Sequence, residues 1–179
     1  MVPPLQVKKI VLYNMDPKTL VTNSLLKQVN RENIYIILGT TKSGKSTIAR
    51  EISAKLGRKM INTDDIREQT GDENRTIDRL ESIFLNYHYS NRPVIISGVH
   101  CVRLVRRIAM KTNIKLNIIK VDCDDSTIEY FYRKDKEYHK WRNVVRFNKA
   151  LNTIWRQFKS MSRGKIKHQI VYLNTSLEK

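Results

Sequence analysis

The chain has 179 residues, 40% of them hydrophobic, with two cysteines and a net charge of +17. That length fits one domain with a core of its own, and Cys101 and Cys123 have neither disulfide-framework nor zinc-ligand spacing, which favours a reduced setting. The first residues lack the apolar stretch of a signal peptide and no run reaches the length of a membrane span, so a soluble, cytoplasmic protein with no membrane partner is expected.

Residues 1–32 read as an N-terminal extension packed on the core of a domain running from 33 to 179. Within the extension, Ile10 to Tyr13 fit an extra edge strand and Leu20 to Val29 a helix. Strand signals then recur at Ile34 to Leu38, Lys59 to Asn62, Val94 to Ser97, Leu116 to Val121 and Ile170 to Leu173. Most are short apolar runs separated by helical patterns, which predicts an α/β fold of three layers around a five-stranded, mostly parallel sheet. Ile77, Leu80, Ile83, Phe84 and Tyr87 share one helical face, as do Trp141, Val144, Val145, Leu151, Ile154, Trp155, Phe158 and Met161. Both stripes read as core, with their aromatics packed and not offered to bases.

Directly after the first core strand, residues 39–46 read Gly-Thr-Thr-Lys-Ser-Gly-Lys-Ser, a complete G-x-x-x-x-G-K-[ST] loop, and Thr47 to Leu56 follow as a helix. Strand, loop and helix in that order let the backbone N–H groups of Gly39, Thr40, Thr41, Lys42, Ser43 and Gly44 cradle phosphates at the positive end of the helix dipole. Gly39 and Gly44 supply the tight backbone, Lys45 reaches the β and γ phosphates, and the Ser46 hydroxyl joins a Mg²⁺ shell. Thr47 is a further donor to the α phosphate. ATP with Mg²⁺ is therefore the expected ligand pair.

The second core strand leads into Asn62-Thr63-Asp64-Asp65-Ile66-Arg67-Glu68. Loops at the carboxyl ends of strands line the ligand crevice of an α/β sheet, which sets these carboxylates opposite Lys45. Transfer of a phosphoryl group to a hydroxyl needs a carboxylate to take the acceptor's proton, and Asp64 is the candidate base. Asp65 is assigned to Mg²⁺, through bound water, or to the backbone. Arg67, three residues after Asp64, shares its helical face and suits an anionic group on the acceptor. The same residues also make a good helix start, since Asn and Thr cap and acids favour a first turn.

The stretch from Ile61 to Glu68, together with Val94-Ile95-Ile96-Ser97-Gly98-Val99-His100, resembles 2-phosphoglycerate kinase, a branch of the P-loop kinase superfamily. The likeness runs over roughly residues 33–160, weakly so at Arg146-Phe147 and Ile154-Trp155. The pattern Asn62, Asp64, Asp65, Arg67 also resembles the kinase domain of viral polynucleotide 5′-kinase. That second resemblance implies a base at Asp64 and an arginine at Arg67 that engages the phosphate beside the attacked hydroxyl. Both imply a P-loop kinase fold with a lid. They differ on the acceptor, and the chain departs from the first pattern with Ser97 in place of Glu and no proline soon after His100.

His100 and Arg103 join Arg67 as candidate acceptor contacts. Arg103, Arg106, Arg107 and Lys111 fall on one face of the next helix, either as a solvated face or as a phosphate-binding strip. A further basic cluster, Arg133, Lys134, Lys136, Lys140 and Arg142, lies where P-loop kinases carry the lid, and Arg133 and Arg142 are the candidate lid cations. Charge is uneven: residues 1–90 carry 14 Lys/Arg against 10 Asp/Glu, a net +4, and residues 91–179 carry 20 against 7, a net +13. A basic half suits a small polyanion or nucleic acid, or reflects a lysine-rich proteome. The leading expectation is a kinase of a small anionic metabolite resembling 2-phosphoglycerate. A polynucleotide kinase is the alternative, and a nucleotide-driven switch or ATPase the reading from another class. The last is disfavoured because no Asn-Lys-x-Asp motif occurs and the third core strand ends in Ser97, where an ATPase carboxylate belongs.

Overall fold

A computed structural model describes residues 9–11, 16–161 and 168–177, the first three by their backbone. Six strands, β1 (Lys9–Val11), β2 (Ile34–Gly39), β3 (Lys59–Asn62), β4 (Val94–Ser97), β5 (Asn117–Asp122) and β6 (Gln169–Asn174), form one sheet. Their order is β1-β6-β5-β2-β4-β3 and every neighbouring pair is parallel. The five expected core strands are thus β2 to β6, and the sheet is wholly parallel where it was expected to be mostly so. β1 adds a sixth strand at the edge; Leu12 and Tyr13, expected to extend it, lie outside the described residues.

Alternation along the central strands divides the core into two layers. Ile34, Ile36 and Leu38 of β2 join a cluster with the buried faces of α4 (Glu73–Tyr89), α5 (Cys101–Lys111) and α7 (Trp141–Met161). Tyr35 and Ile37, one step out of phase, join the opposite cluster with α1 (Asn23–Asn30) and α2 (Lys45–Leu56). All six residues of β2 are buried, which explains its continuous apolar run. Each such Ile or Leu contributes roughly 1.5–3 kcal/mol of burial free energy. Leu20 of a short 3₁₀ turn (Pro17–Leu20), Val21 directly after it, and Leu25 and Val29 of α1 are buried in the second layer. Among the described residues, no helix is long and apolar enough to cross a membrane.

Three carboxyl ends meet at the crevice. Strand order reverses beside β2, which has β4 on one side and β5 on the other. α3 (Thr63–Thr70) follows β3 directly, and α6 (Asp125–Lys134) follows β5. The β4–α5 turn passes so near α3 that a Cβ on Gly98, whose φ is +148°, would lie 1.8 Å from Thr63 Oγ1. Only glycine permits that approach, and it brings His100 against α3 and α4.

Candidate active site

The loop after β2 takes the expected form. Gly44 sits in the left-handed region at φ +85° and starts α2, with Lys45 and Ser46 in the first turn. A cavity of about 400 Å³ opens beside it, lined on the loop side by Lys42, Ser43, Gly44, Lys45, Ser46 and Thr47. Pro17, Phe131 and Leu177 supply an apolar wall opposite. The hydroxyls of Thr40 and Ser43 are buried with no hydrogen-bond partner among the described residues. Unsatisfied donors at a helix N-terminus fit phosphate oxygens. Ser46 stands beside them with the hydroxyl a Mg²⁺ ion takes in such loops.

Lys45 is buried, and its Nζ donates to the Thr40 carbonyl at 2.8 Å. Burial lowers its pKa to about 8, the nearby Lys120 charge acting in the same direction and the Asp64 carboxylate against it. Two long-range contacts hold the loop's backbone. The Thr41 N–H donates to Asn148 Oδ1 of α7 at 3.3 Å, and Thr175 Oγ1, past the end of β6, donates to the Ser43 carbonyl at 2.7 Å. Lys42, at φ +56°, is ion-paired to Asp135 and, at 2.9 Å, to Glu137, with its ammonium 4.5 Å from the centre of the Tyr132 ring. The segment after α6 is therefore tied to the loop through its acids.

On the other side of the crevice, Asn62 caps α3 by accepting from the Asp64 N–H at 3.0 Å, so the cap and the carboxylate coexist. Asp64 is exposed in the first turn and Asp65 is exposed beside it. His100 Nε2 lies 3.9 Å from Asp64 Oδ1, and His100 Nδ1 lies 3.1 Å from Glu73 Oε1. Glu73 also pairs with Arg103 and, at 3.8 Å, with Arg67 Nε. Burial opposes its ionisation, yet the hydrogen bonds and charges of His100 and Arg103 prevail and hold its carboxyl below the ordinary value. The three candidate acceptor contacts, Arg67, His100 and Arg103, thus converge on one carboxylate.

The remaining cations stand elsewhere. Arg107 of α5 pairs with Asp78 and Glu81 of α4, Lys111 pairs with Glu81 at 3.1 Å, and Arg106 donates to Gln157 of α7 at 2.7 Å. The face expected to be solvated or phosphate-binding is a ladder between helices. Arg133 is exposed, bonded to Glu129 at 2.7 Å and stacked 3.8 Å from the Tyr138 ring centre, and Arg142 is exposed in the first turn of α7. Neither is among the described residues lining the cavity beside the loop.

Sequence reasoning missed Glu73, Asn148, Thr175, Asp135 and Glu137. Asn148 did carry a signal, since it precedes Leu151, Trp155 and Phe158 at helical spacing and is a polar residue in a buried stripe. Glu73 gave none, because an acid in a first helical turn is explained by the dipole alone.

No protein-family model matches the chain, and no curated protein does. Solved structures do. A shikimate kinase from Acinetobacter baumannii, in complex with shikimate, is 14% identical with a TM-score of 0.50, over 82% of this chain and 86% of that one. A putative kinase from Chloroflexus aurantiacus is 13% identical with a TM-score of 0.48, over 81% and 90%. A shikimate kinase from Bacteroides thetaiotaomicron is 13% identical with a TM-score of 0.46, over 78% and 85%. The likeness to the first is one of architecture, and the chain has the α/β fold of the P-loop kinases.

Proposed function

We propose that the protein is an ATP-dependent phosphotransferase that moves the γ-phosphoryl group to a hydroxyl of a small anionic metabolite, with 2-phosphoglycerate the first acceptor to try. The observation that carries this reading is the loop after β2, where Lys45 is buried at the start of α2 and lines a cavity; Asp64 stands exposed in the first turn of α3, at the carboxyl end of β3, two strands from β2 in the sheet. Asp64 takes the acceptor's proton as the hydroxyl oxygen attacks phosphorus in line, and Lys45 meets the charge growing on the phosphate oxygens. Mg²⁺, when bound, neutralises phosphate charge, and Ser46 and Asp65 are the side chains assigned to it. Arg67 and Arg103 hold the anionic group of the acceptor, and the segment from Arg133 to Arg142 acts as the lid.

The burial of Leu20, Leu25 and Val29 supports treating residues 1–32 as an extension packed on the domain of residues 33–179. Two free cysteines suit a reducing, cytoplasmic setting. Phosphorylation of a nucleic-acid 5′-hydroxyl is the second reading, favoured by the net charge of +17. The pairing of α5 arginines with α4 acids weakens it, and the shikimate held by the like-folded Acinetobacter baumannii enzyme favours the small acceptor.

The test is a transfer assay with labelled ATP, comparing 2-phosphoglycerate, nucleosides and 5′-hydroxyl RNA. Lys45→Ala should abolish transfer to the productive acceptor. Asp64→Asn should leave ATP binding nearly intact and lower turnover by about 10²–10⁴-fold. Full activity in Lys45→Ala would end the phosphotransferase reading, and hydrolysis of ATP with no labelled acceptor would move it to an ATPase.

A further inference from the structure

His100 occupies the cap position of α5, yet its side chain caps nothing. Its ring is instead 9% exposed and spans the gap between two carboxylates, Nδ1 at 3.1 Å from Glu73 Oε1 and Nε2 at 3.9 Å from Asp64 Oδ1. An imidazole held at one nitrogen by a carboxylate has the direction of its other nitrogen fixed. Glu73 is itself fixed by Arg103 and Arg67, so the ring hangs from a framework tied to α3, α4 and α5.

Asp64 lacks such support of its own. Its side chain is 61% exposed, and among the described residues the group facing its carboxylate within 4 Å is His100. An in-line attack tolerates little misplacement of the base, and an error of about 1 Å costs on the order of 100-fold in rate. A 3.9 Å approach is longer than a hydrogen bond. Contacts of this kind tighten when substrates load. Packing alone does not account for the arrangement, because filling the space behind Gly98 requires no ring nitrogen aimed at a carboxylate.

The geometry points to His100 as a positioning residue, oriented by Glu73, that sets the rotamer of the base Asp64. This inference rests on the phosphotransferase reading and assigns His100 to the base instead of to the acceptor. The charged groups around the ring are Asp64 and Arg67 from α3, Glu73 from α4, Arg103 from α5 and, beyond Asp64, Lys45 from α2.

Two conservative variants separate the roles of the two nitrogens. Gln places its amide nitrogen where Nε2 lies and Asn places its own where Nδ1 lies, so His100→Gln keeps the contact to Asp64 and His100→Asn keeps the one to Glu73. In the labelled-ATP assay with the same acceptor panel, His100→Asn should lose on the order of 100-fold in kcat with little change in KM for ATP. His100→Gln should stay within about 10-fold of the parent, a margin well inside that loss. Equal losses in the two variants, or a loss confined to the acceptor's KM, would overturn the inference. Lys45→Ala run in parallel keeps the failures distinct, since an active Lys45→Ala sinks the reading itself and an inactive one with equal His100 variants sinks only the role of His100. Nuclear magnetic resonance of the full chain with ¹⁵N-labelled histidine gives a readout without any acceptor. Asp64→Asn should move the His100 Nε2 resonance and Glu73→Gln the Nδ1 resonance; unmoved resonances overturn the positioning role.

Discussion

Lys45 is a cation held in a place that disfavours its charge. Burial lowers its pKa to about 8 from an ordinary value of 10.5, so between those values the folded protein binds fewer protons at this site than the unfolded chain. Stability of the free protein should therefore rise with pH across that window as far as this group is concerned. A bound triphosphate reverses the preference by favouring the ammonium. Calorimetric titration with ATP in two buffers of different ionisation enthalpy should show proton uptake near pH 9, where the terminal phosphate of ATP is already fully ionised. Affinity for ATP should weaken as pH rises through about 8. Identical heats in both buffers near pH 9 would mean that Lys45 stays charged in the free loop.

The loop owes its shape to elements far from it as much as to its own glycines. α7 is anchored by Leu151, Ile154, Trp155 and Phe158, and from that base Asn148 accepts the Thr41 N–H, while Thr175 after β6 holds the Ser43 carbonyl. Asn148→Ala leaves the Thr41 N–H without its partner, which should cost about 1–3 kcal/mol of stability. It should also raise the KM for ATP while leaving the KM of the acceptor unchanged, a split that thermal melts and steady-state kinetics together would read. The α4–α5 ladder is a different kind of element contact. Its pairs are exposed in part, so each contributes no more than about 1 kcal/mol and is screened by salt.

Taken over the entire chain, the net charge of +17 is less available than its distribution along the sequence suggests. Asp78 and Glu81 belong to the nearly balanced first half, and in the fold they meet Arg107 and Lys111 of the basic second half. A small acceptor should accordingly show a shallow dependence of its KM on salt. A polymer held through 6–10 phosphates would lose about 10³–10⁵ in affinity between 50 and 200 mM salt. A steep loss with 5′-hydroxyl RNA as acceptor would return the nucleic-acid reading to first place. The boundaries of β3 and β4 were legible to the residue, and those of β2, β5 and β6 to within one. For β2 and β4 the reason is that a strand buried on both faces writes itself as a short apolar run. The loop from Gly39 to Ser46 was legible because phosphate binding there uses consecutive residues. The convergence of Arg67, His100 and Arg103 on Glu73 was not, nor was the support of the loop by Asn148 and Thr175. Periodicity and motifs act over a turn or a strand, whereas His100 and Glu73 are 27 residues apart, Thr41 and Asn148 are 107 apart, and Ser43 and Thr175 are 132 apart. Those separations are closed by the order in which parallel strands enter the sheet, a property of the folded chain that no local pattern encodes.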